Sequence, residues 1–270
     1  MRIWKGHAYG NDFLMVRAEE VAARGTEPAT LAKQVCSRHT GIGADGLILF
    51  RDEPGGGTRF DLLNPDGSYA ELSGNGVRCL AALVTHHGGG SKANVGEVVI
   101  HTDAGPKTLT PLAHDELDRR TTFRAAMGKP GNLRELTLDV AGERIRVAAL
   151  SMGNPQCILL DQPMTQERLH KFGPALQTHP EFPNGVNVEI IKVVRPEEIR
   201  ILIWERGVGP TESSGTGSCA SAVAAAAYAG AARVVDIIAP GGSQRVEWTD
   251  DYEVFLTGWA QLLFDGQWLP

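Results

Sequence analysis

Ser73-Gly74-Asn75-Gly76, followed by VRCLAALVTH, and Ser214-Gly215-Thr216-Gly217, followed by SCASAVAAAAYAGAARV, are two copies of one pattern. In each, a short glycine-flanked segment opens an apolar, alanine-rich stretch. The copies stand about 140 residues apart, and at the same spacing Glu71 meets Glu212 and Ala81 meets Ala222. A second pair precedes them in the same order: Gly10-Asn11 before Asp12 to Val16, and Gly153-Asn154 before Pro155 to Leu159. A lone Gly-x-Gly carries little in a chain with 32 glycines, but two matched pairs in one order predict two copies of a domain-sized unit. Gly76 to His86 and Gly217 to Val234 are apolar nearly all round, the pattern of a helix enclosed on every side.

Around these helices, short runs rich in β-branched residues alternate with turn-forming segments, among them Phe13 to Val16, Gly46 to Phe50, Val98 to Ile100, Leu136 to Val140, Ile145 to Leu150, Val188 to Val193 and Ile201 to Trp204. The expected class is therefore α+β, with each unit a strongly curved sheet wrapped around a central helix. The polar stretch His114 to Arg120 reads as the crossover between units, and the closing GWAQLLFDGQWLP as a strand returning to the first. This gives a first domain over 1–116 with a return segment at 260–270, and a second over 117–259.

The bulk numbers exclude several classes. With 42% hydrophobic and 21% charged residues the chain is an ordinary globular protein, long enough for two cores. A net charge of −6, without a basic run, argues against nucleic acid or an anionic membrane as partner. The amino terminus lacks the apolar stretch of a signal peptide, and no segment reaches about 18 consecutive apolar residues, so a cytoplasmic location is expected. Cys36, Cys79, Cys157 and Cys219 show no CxxC spacing, which speaks against structural zinc and a disulfide framework.

The helix entries carry the chemistry. Glycines at Gly74, Gly76, Gly215 and Gly217 let a ligand approach the backbone, and the free N–H groups of a first helical turn suit a carboxylate. Two such entries facing each other across a cleft would put Ser73 and Ser214 on opposite sides of one bound group. The structural alternative for each serine is an N-cap. Dinucleotide binding is disfavoured because Cys79 and Ala220 occupy the third-glycine positions of GxGxxG, and a serine hydrolase because GxSxG is missing. Asn64, before Pro65-Asp66-Gly67, reads as a turn residue. Asn187 interrupts an apolar run. Glu205-Arg206, closing another, could meet the ammonium and carboxylate of a zwitterionic ligand or form a solvated pair.

Along its whole length the chain resembles the diaminopimelate epimerase family. The resemblance runs through KGHAYGNDF at Lys5 to Phe13, RHTGIGADG at Arg38 to Gly46, LNPDGSYAELSGNGVRC at Leu63 to Cys79, SMGNPQC at Ser151 to Cys157, FPNGVNVE at Phe182 to Glu189, WERGVGPTESSGTGSC at Trp204 to Cys219 and PGGS at Pro240 to Ser243. It implies two pseudo-symmetric domains, each a β-barrel-like sheet around a central helix, a substrate cleft between them, no cofactor, no metal, and commonly a homodimer. The implied reaction interconverts LL- and meso-diaminopimelate on the route to lysine and peptidoglycan. Inverting a stereocentre requires one group to take the α-hydrogen from one face and another to return a proton to the other, and a duplicated half-site supplies such a pair. By match to the family motifs, Asn11, Asn64, Asn154, Asn187, Glu205 and Arg206 would grip the substrate, while Gly74-Asn75 and Gly215-Thr216 would hold the reacting carboxylate.

The departures from the family fall on the catalytic set. Ser73 and Ser214 stand where the family places two catalytic cysteines, and Gln156, beside Glu205 in that set, stands where GNPHC has histidine. Cys79 and Cys219 lie further on, inside the helices, and do not replace them. A cysteine thiol ionises near ~8.5 and is tunable by helix ends and charges, whereas a serine hydroxyl is far less acidic and glutamine cannot titrate. Readings compatible with this are a trapping variant with cysteines changed to serine, a natural homologue with altered chemistry (a related isomerase or dehydratase acting on another amino acid), or an amino-acid-binding homologue without catalysis. Gln156, which an engineer blocking catalysis would have no need to introduce, favours natural divergence. Intact Glu205-Arg206, Asn64 and Asn187 favour a diaminopimelate-type ligand over proline, which has no distal zwitterion.

Overall fold

The β-branched runs form strands and the two alanine-rich stretches form helices in the computed structural model, which describes residues 1–87 and 96–269. In chain order the first unit contains β1 (Arg2–Ala8), β2 (Asn11–Arg17), α1 (Ala18–Ala23), α2 (Pro28–Cys36), β3 (Gly46–Asp52), β4 (Thr58–Leu63), β5 (Tyr69–Ala70), α3 (Gly74–His87), β6 (Val98–Thr102), β7 (Gly105–Asp115) and the start of β8 (Arg120–Gly128). The second contains β9 (Gly131–Val140), β10 (Glu143–Ser151), β11 (Pro155–Leu159), α4 (Gln166–Gln177), β12 (Asn187–Arg195), β13 (Glu198–Glu205), β14 (Gly209–Thr211), α5 (Gly215–Tyr228), β15 (Val234–Ala239), β16 (Gly242–Trp248) and the start of β17 (Val254–Gln267). The compact units are Met1–Ala125 with Gly258–Pro270, and Ala126–Thr257. Both divisions fall inside strands.

The duplication holds strand by strand. Antiparallel β1–β2, parallel β2–β3, antiparallel β3–β4 and β4–β5, parallel β4–β6 and antiparallel β6–β7 recur in order as β10–β11, β11–β12, β12–β13, β13–β14, β13–β15 and β15–β16. Within the first unit the sheet closes on itself: β7 pairs with β8, β8 neighbours β17, and β17 pairs with β1. The last contact is the return expected of the closing segment, whose final residue, Pro270, lies outside the described residues. The strand register also aligns the repeats: Phe13 opposes Gly46 as Gln156 opposes Asn187, and Met15 opposes Ile48 as Ile158 opposes Glu189.

Each sheet wraps a helix. α3 packs against β1, β2, β6 and β7, and α5 against β10 through β13, β15 and β16. The first eleven residues of α5 are all buried, as an apolar surface on every side requires. On the outer faces lie helices that the sequence reading had not placed. α2 contributes Leu31, Ala32 and Val35 to a core with Leu14, Val16, Leu47 and Leu49, and α4 contributes Leu169, Phe172 and Leu176 to one with Val188 and Ile190. Strands β2, β3, β11 and β12 are thus covered on both faces, which explains their nearly continuous apolar runs.

Two local expectations are corrected. The stretch His114 to Arg120 is not a crossover between units but the turn between β7 and β8 in the first: Asp115 Oδ1 accepts from the N–H groups of Leu117 (3.0 Å) and Asp118 (3.3 Å), and Arg119 takes φ 50°. The second helix ends at Tyr228, not Val234, because Gly230 adopts φ 74° and Ala231 N–H bonds back to Ala225 O at 3.2 Å, a glycine stop that an alanine count does not register. Among the described residues no helix is long and apolar enough to cross a membrane.

Candidate active-site half-sites

Each unit builds a half-site from a helix entry and the turn that precedes its second strand. Gly10 at φ 86° and Gly153 at φ 89° sit in the left-handed region where glycine is unstrained, and they deliver Asn11 and Asn154 to the start of the following strand.

In the first unit Ser73 caps α3: its Oγ accepts from Gly76 N–H at 3.1 Å and its carbonyl from Val77 N–H at 2.9 Å. Asn75, 2% exposed, donates through Nδ2 to Asn11 Oδ1 at 3.1 Å, and its Oδ1 accepts from the Arg78 guanidinium, itself buried in α3. Asn11 Nδ2 donates in turn to Asp45 Oδ2 at 2.9 Å. Arg38 then joins Asp45 (2.7 Å) to Asp12 (2.9 Å), and Lys5 reaches Asp12 at 2.9 Å. Burial would raise the Asp12 carboxyl, but Arg38 and Lys5 outweigh it and hold Asp12 below its ordinary range. Tyr9, whose ring lies 5.8 Å from the Arg78 guanidinium, is pushed up by burial despite that positive charge. Asn64 stands apart from this network: its N–H donates to Ser68 O (2.8 Å) and its Nδ2 to Ser68 Oγ (3.0 Å), so it anchors its own turn.

In the second unit Ser214, 4% exposed, caps α5 in the same way. Its Oγ accepts from Gly217 N–H at 3.2 Å, and its carbonyl from Ser218 N–H at 3.0 Å and Ser218 Oγ at 2.7 Å. Both serines therefore fulfil the cap role, and in each the hydroxyl hydrogen is a donor distinct from the lone pair used for capping. Asn187 Oδ1 accepts from Arg206 N–H at 2.8 Å, while the exposed Arg206 guanidinium bonds Asn184 O at 2.7 Å. That bond turns Asn187 Nδ2 toward Gln156, whose amide is best satisfied with Oε1 accepting from Asn187 Nδ2 (3.2 Å) and Thr216 Oγ1 (3.1 Å) and Nε2 donating to the Glu189 oxygens at 3.2 and 3.3 Å. The Asn154 amide oxygen position lies 2.7 Å from the Gln156 amide. A cavity of about 250 Å³ with Arg134, Ser151 and Phe182 on its walls reaches Gln156.

Glu189 is the functional-looking residue to which the sequence reading gave no role. It is fully buried on β12, and burial, reinforced by the charge of Glu205, raises its carboxyl well above the ordinary value. The available signal was one acidic residue inside the apolar run Val186 to Val194. The cysteines are inert by comparison: Cys79 and Cys219 are both 0% exposed within their helices, and burial pushes Cys79 up to about 12.

The structure thus joins Asn11 with Asn75 in one network and Asn154, Gln156, Thr216, Asn187 and the Arg206 backbone in another. It leaves Asn64 bonded within its turn.

Two repeats of a curved sheet around a buried helix, each with a serine-capped, glycine-flanked helix entry, define a duplicated epimerase-type isomerase. Solved structures share the fold: a probable proline racemase from Agrobacterium radiobacter K84 (TM-score 0.74, 18% identity, 99% of this chain and 92% of that one) and a hydroxyproline epimerase from Agrobacterium vitis (TM-score 0.70, 16% identity, 98% and 91%). The family described as Diaminopimelate epimerase matches residues 3–130 and 148–263. The diaminopimelate epimerase of Desulforudis audaxviator is 36% identical over 286 residues, spanning 100% of this chain and 99% of its own, and that of Moorella thermoacetica is 38% identical over 280 residues, spanning 98% of each. The chain belongs to the diaminopimelate epimerase family.

Proposed function

We propose that this protein carries out a diaminopimelate epimerase-type reaction, interconverting LL- and meso-diaminopimelate in lysine biosynthesis without a cofactor, with serine hydroxyls at both proton-transfer positions. The observation that carries this reading is the duplicated half-site: in each unit a serine caps a buried helix, and the N-terminal end of such a helix suits a carboxylate. The substrate's α-hydrogen is removed by one serine position and replaced from the other, while the helix ends stabilise the charge that develops on the carboxylate. Asn11, Asn75, Asn154, Thr216 and Asn187 orient the substrate, Glu205 and Arg206 hold its distal ammonium and carboxylate, and Asn64 supports that grip from its turn. The family resemblance further supports a homodimer in the cytoplasm, which sedimentation and fractionation would check.

Because a hydroxyl is a much weaker acid than a thiol, turnover is slow, and proton transfer limits it. Proton NMR of diaminopimelate in deuterated buffer tests this: slow loss of the α-hydrogen signal is expected, rising by orders of magnitude in Ser73→Cys with Ser214→Cys. Release of a keto or cyclic imino product would instead identify a dehydratase-like reaction. A double cysteine variant that binds diaminopimelate yet exchanges nothing would refute the proposal. A second reading, binding without turnover, is favoured by the cap bonds that engage both Ser73 Oγ and Ser214 Oγ; it predicts ligand binding with no exchange in the parent chain.

A further inference from the structure

The two half-sites are copies in backbone and differ in what lies beneath the helix entry. In the first, a Cβ added at Gly76 would lie 3.3 Å from Ile48 Cδ1 and from the Phe60 ring, so the floor is apolar. At the matching place in the second, a Cβ on Gly217 would lie 2.3 Å from Glu189 Oε1 and 3.1 Å from Ser214 Cβ. The strand register assigns Glu189 to the position of Ile48 and Gln156 to that of Phe13. A repeat that had merely drifted would keep hydrocarbon there, because an unpaired buried carboxyl costs stability. This one is tied into a line of hydrogen bonds. Arg206 N–H donates to Asn187 Oδ1, Asn187 Nδ2 to Gln156 Oε1, and Gln156 Nε2 to Glu189, which touches the first turn of α5 beside Ser214.

We propose that Glu189 is a positioning residue of the second half-site, which fixes the orientation of Gln156 by accepting from its Nε2 and whose protonation sets the hold of the α5 N-terminus on a ligand carboxylate. The ligand half of this inference rests on the function proposed above. An ionised Glu189 would place a second negative charge under the helix end that is to receive the ligand's own, in surroundings that screen it poorly. Carrying a proton, it leaves the partial positive charge of the helix end for the ligand. The ionisable groups facing it are Glu205 at the end of β13, which favours retention of the proton, and Cys157 on β11, whose thiol burial pushes up. From α5 the residue against it is Gly217, which carries no charge, with Ser214 beside that glycine, and the α4 core packs on the opposite face of β12. Glu189 thereby supplies the titratable function that neither Ser214 nor Gln156 provides.

The test combines two measurements on the full chain. Calorimetry with meso-diaminopimelate at increasing pH, from the ordinary glutamate range upward through the Glu189 titration, is expected to show affinity falling up to about tenfold per pH unit once Glu189 ionises, and no such fall in Glu189→Gln, which retains the hydrogen bond from Gln156 and cannot ionise. In the ligand-free parent, carbon NMR of the Glu189 carboxyl is expected to titrate far above an ordinary glutamate, with the Gln156 side-chain amide resonances moving in step. Parallel binding profiles in parent and variant would overturn the proposal, as would Gln156 resonances that ignore the Glu189 titration. Failure of both proteins to bind at any pH would refute the proposed function and the ligand half of the inference, while the Gln156 resonances would still decide the coupling.

Discussion

Replacing Ser214 by glycine and, separately, by alanine separates the two roles that this residue carries. Ser214 takes φ −138° and ψ 127°, the extended cap conformation, and its Oγ accepts from Gly217 N–H at 3.2 Å. Alanine removes that acceptor and blocks water from the freed N–H at a position 4% exposed, so a loss of about 1 to 2 kcal/mol is expected, the upper part of the range for N-cap truncation. Glycine tolerates the cap conformation and admits water, so its loss is expected to be only about half a kcal/mol, most of it unfolded-chain entropy. Both substitutions delete the hydroxyl. Urea unfolding should therefore separate the two variants, whereas α-hydrogen exchange of diaminopimelate should be abolished in both while calorimetry still detects ligand. The same series at Ser73, which is less buried, should show smaller stability losses and the same loss of exchange. Exchange that persists in Ser214→Gly would show that the hydroxyl transfers no proton. A glycine variant less stable than the alanine variant would refute the cap argument.

Three further outcomes follow from the geometry. Arg206→Ala should weaken diaminopimelate binding by about 1 to 2 kcal/mol by calorimetry, the scale of an exposed guanidinium that becomes partly desolvated on pairing; unchanged affinity would remove Arg206 from the distal grip. Gly217→Ala should destabilise the second unit by about 1 to 3 kcal/mol in thermal or urea unfolding, because its Cβ would meet Glu189 Oε1 at 2.3 Å; adding Glu189→Ala should recover part of that loss, and no recovery would contradict the placement of Glu189. Glu189 has a folded-state pKa raised above its unfolded value, so between the two the folded chain binds more protons and stability must fall as pH rises, by about 1.4 kcal/mol per pH unit at most. Glu189→Gln should lack that slope and gain on the parent with increasing pH across this window, and identical pH–stability curves would refute the raised value.

Much of the architecture was legible in residue order alone. Paired glycine motifs at one spacing announced the repeat, and the apolar stretches after Gly76 and Gly217 marked the central helices, because a helix enclosed by a sheet cannot present a polar face. The outer helices were less visible, although Leu169, Phe172 and Leu176 in α4 fall at i, i+3 and i+7, a spacing that reads as one buried stripe once a helix is sought. The end of α5 is not legible in the alanine pattern, because alanine favours helix throughout, whereas the stop depends on one glycine adopting a left-handed conformation.

The site divides along the same line. Residue types and their order sufficed for the serines in place of cysteines, the glutamine in place of histidine, the asparagines and the Glu205-Arg206 pair, since each is a matter of which chemical group occupies a position in a motif. What neighbours each group belonged to the folded chain. Asn75 meets Asn11 across 64 positions and Gln156 meets Thr216 across 60. Glu189 lies beneath Gly217 although the two stand 28 positions apart in the chain, with strand, turn and helix between them. No local pattern encodes such contacts, because they arise where a parallel strand pair and a buried helix close a sheet; and it is closure, by excluding water from the Glu189 carboxyl, that gives an ordinary glutamate the proton affinity its sequence position does not disclose.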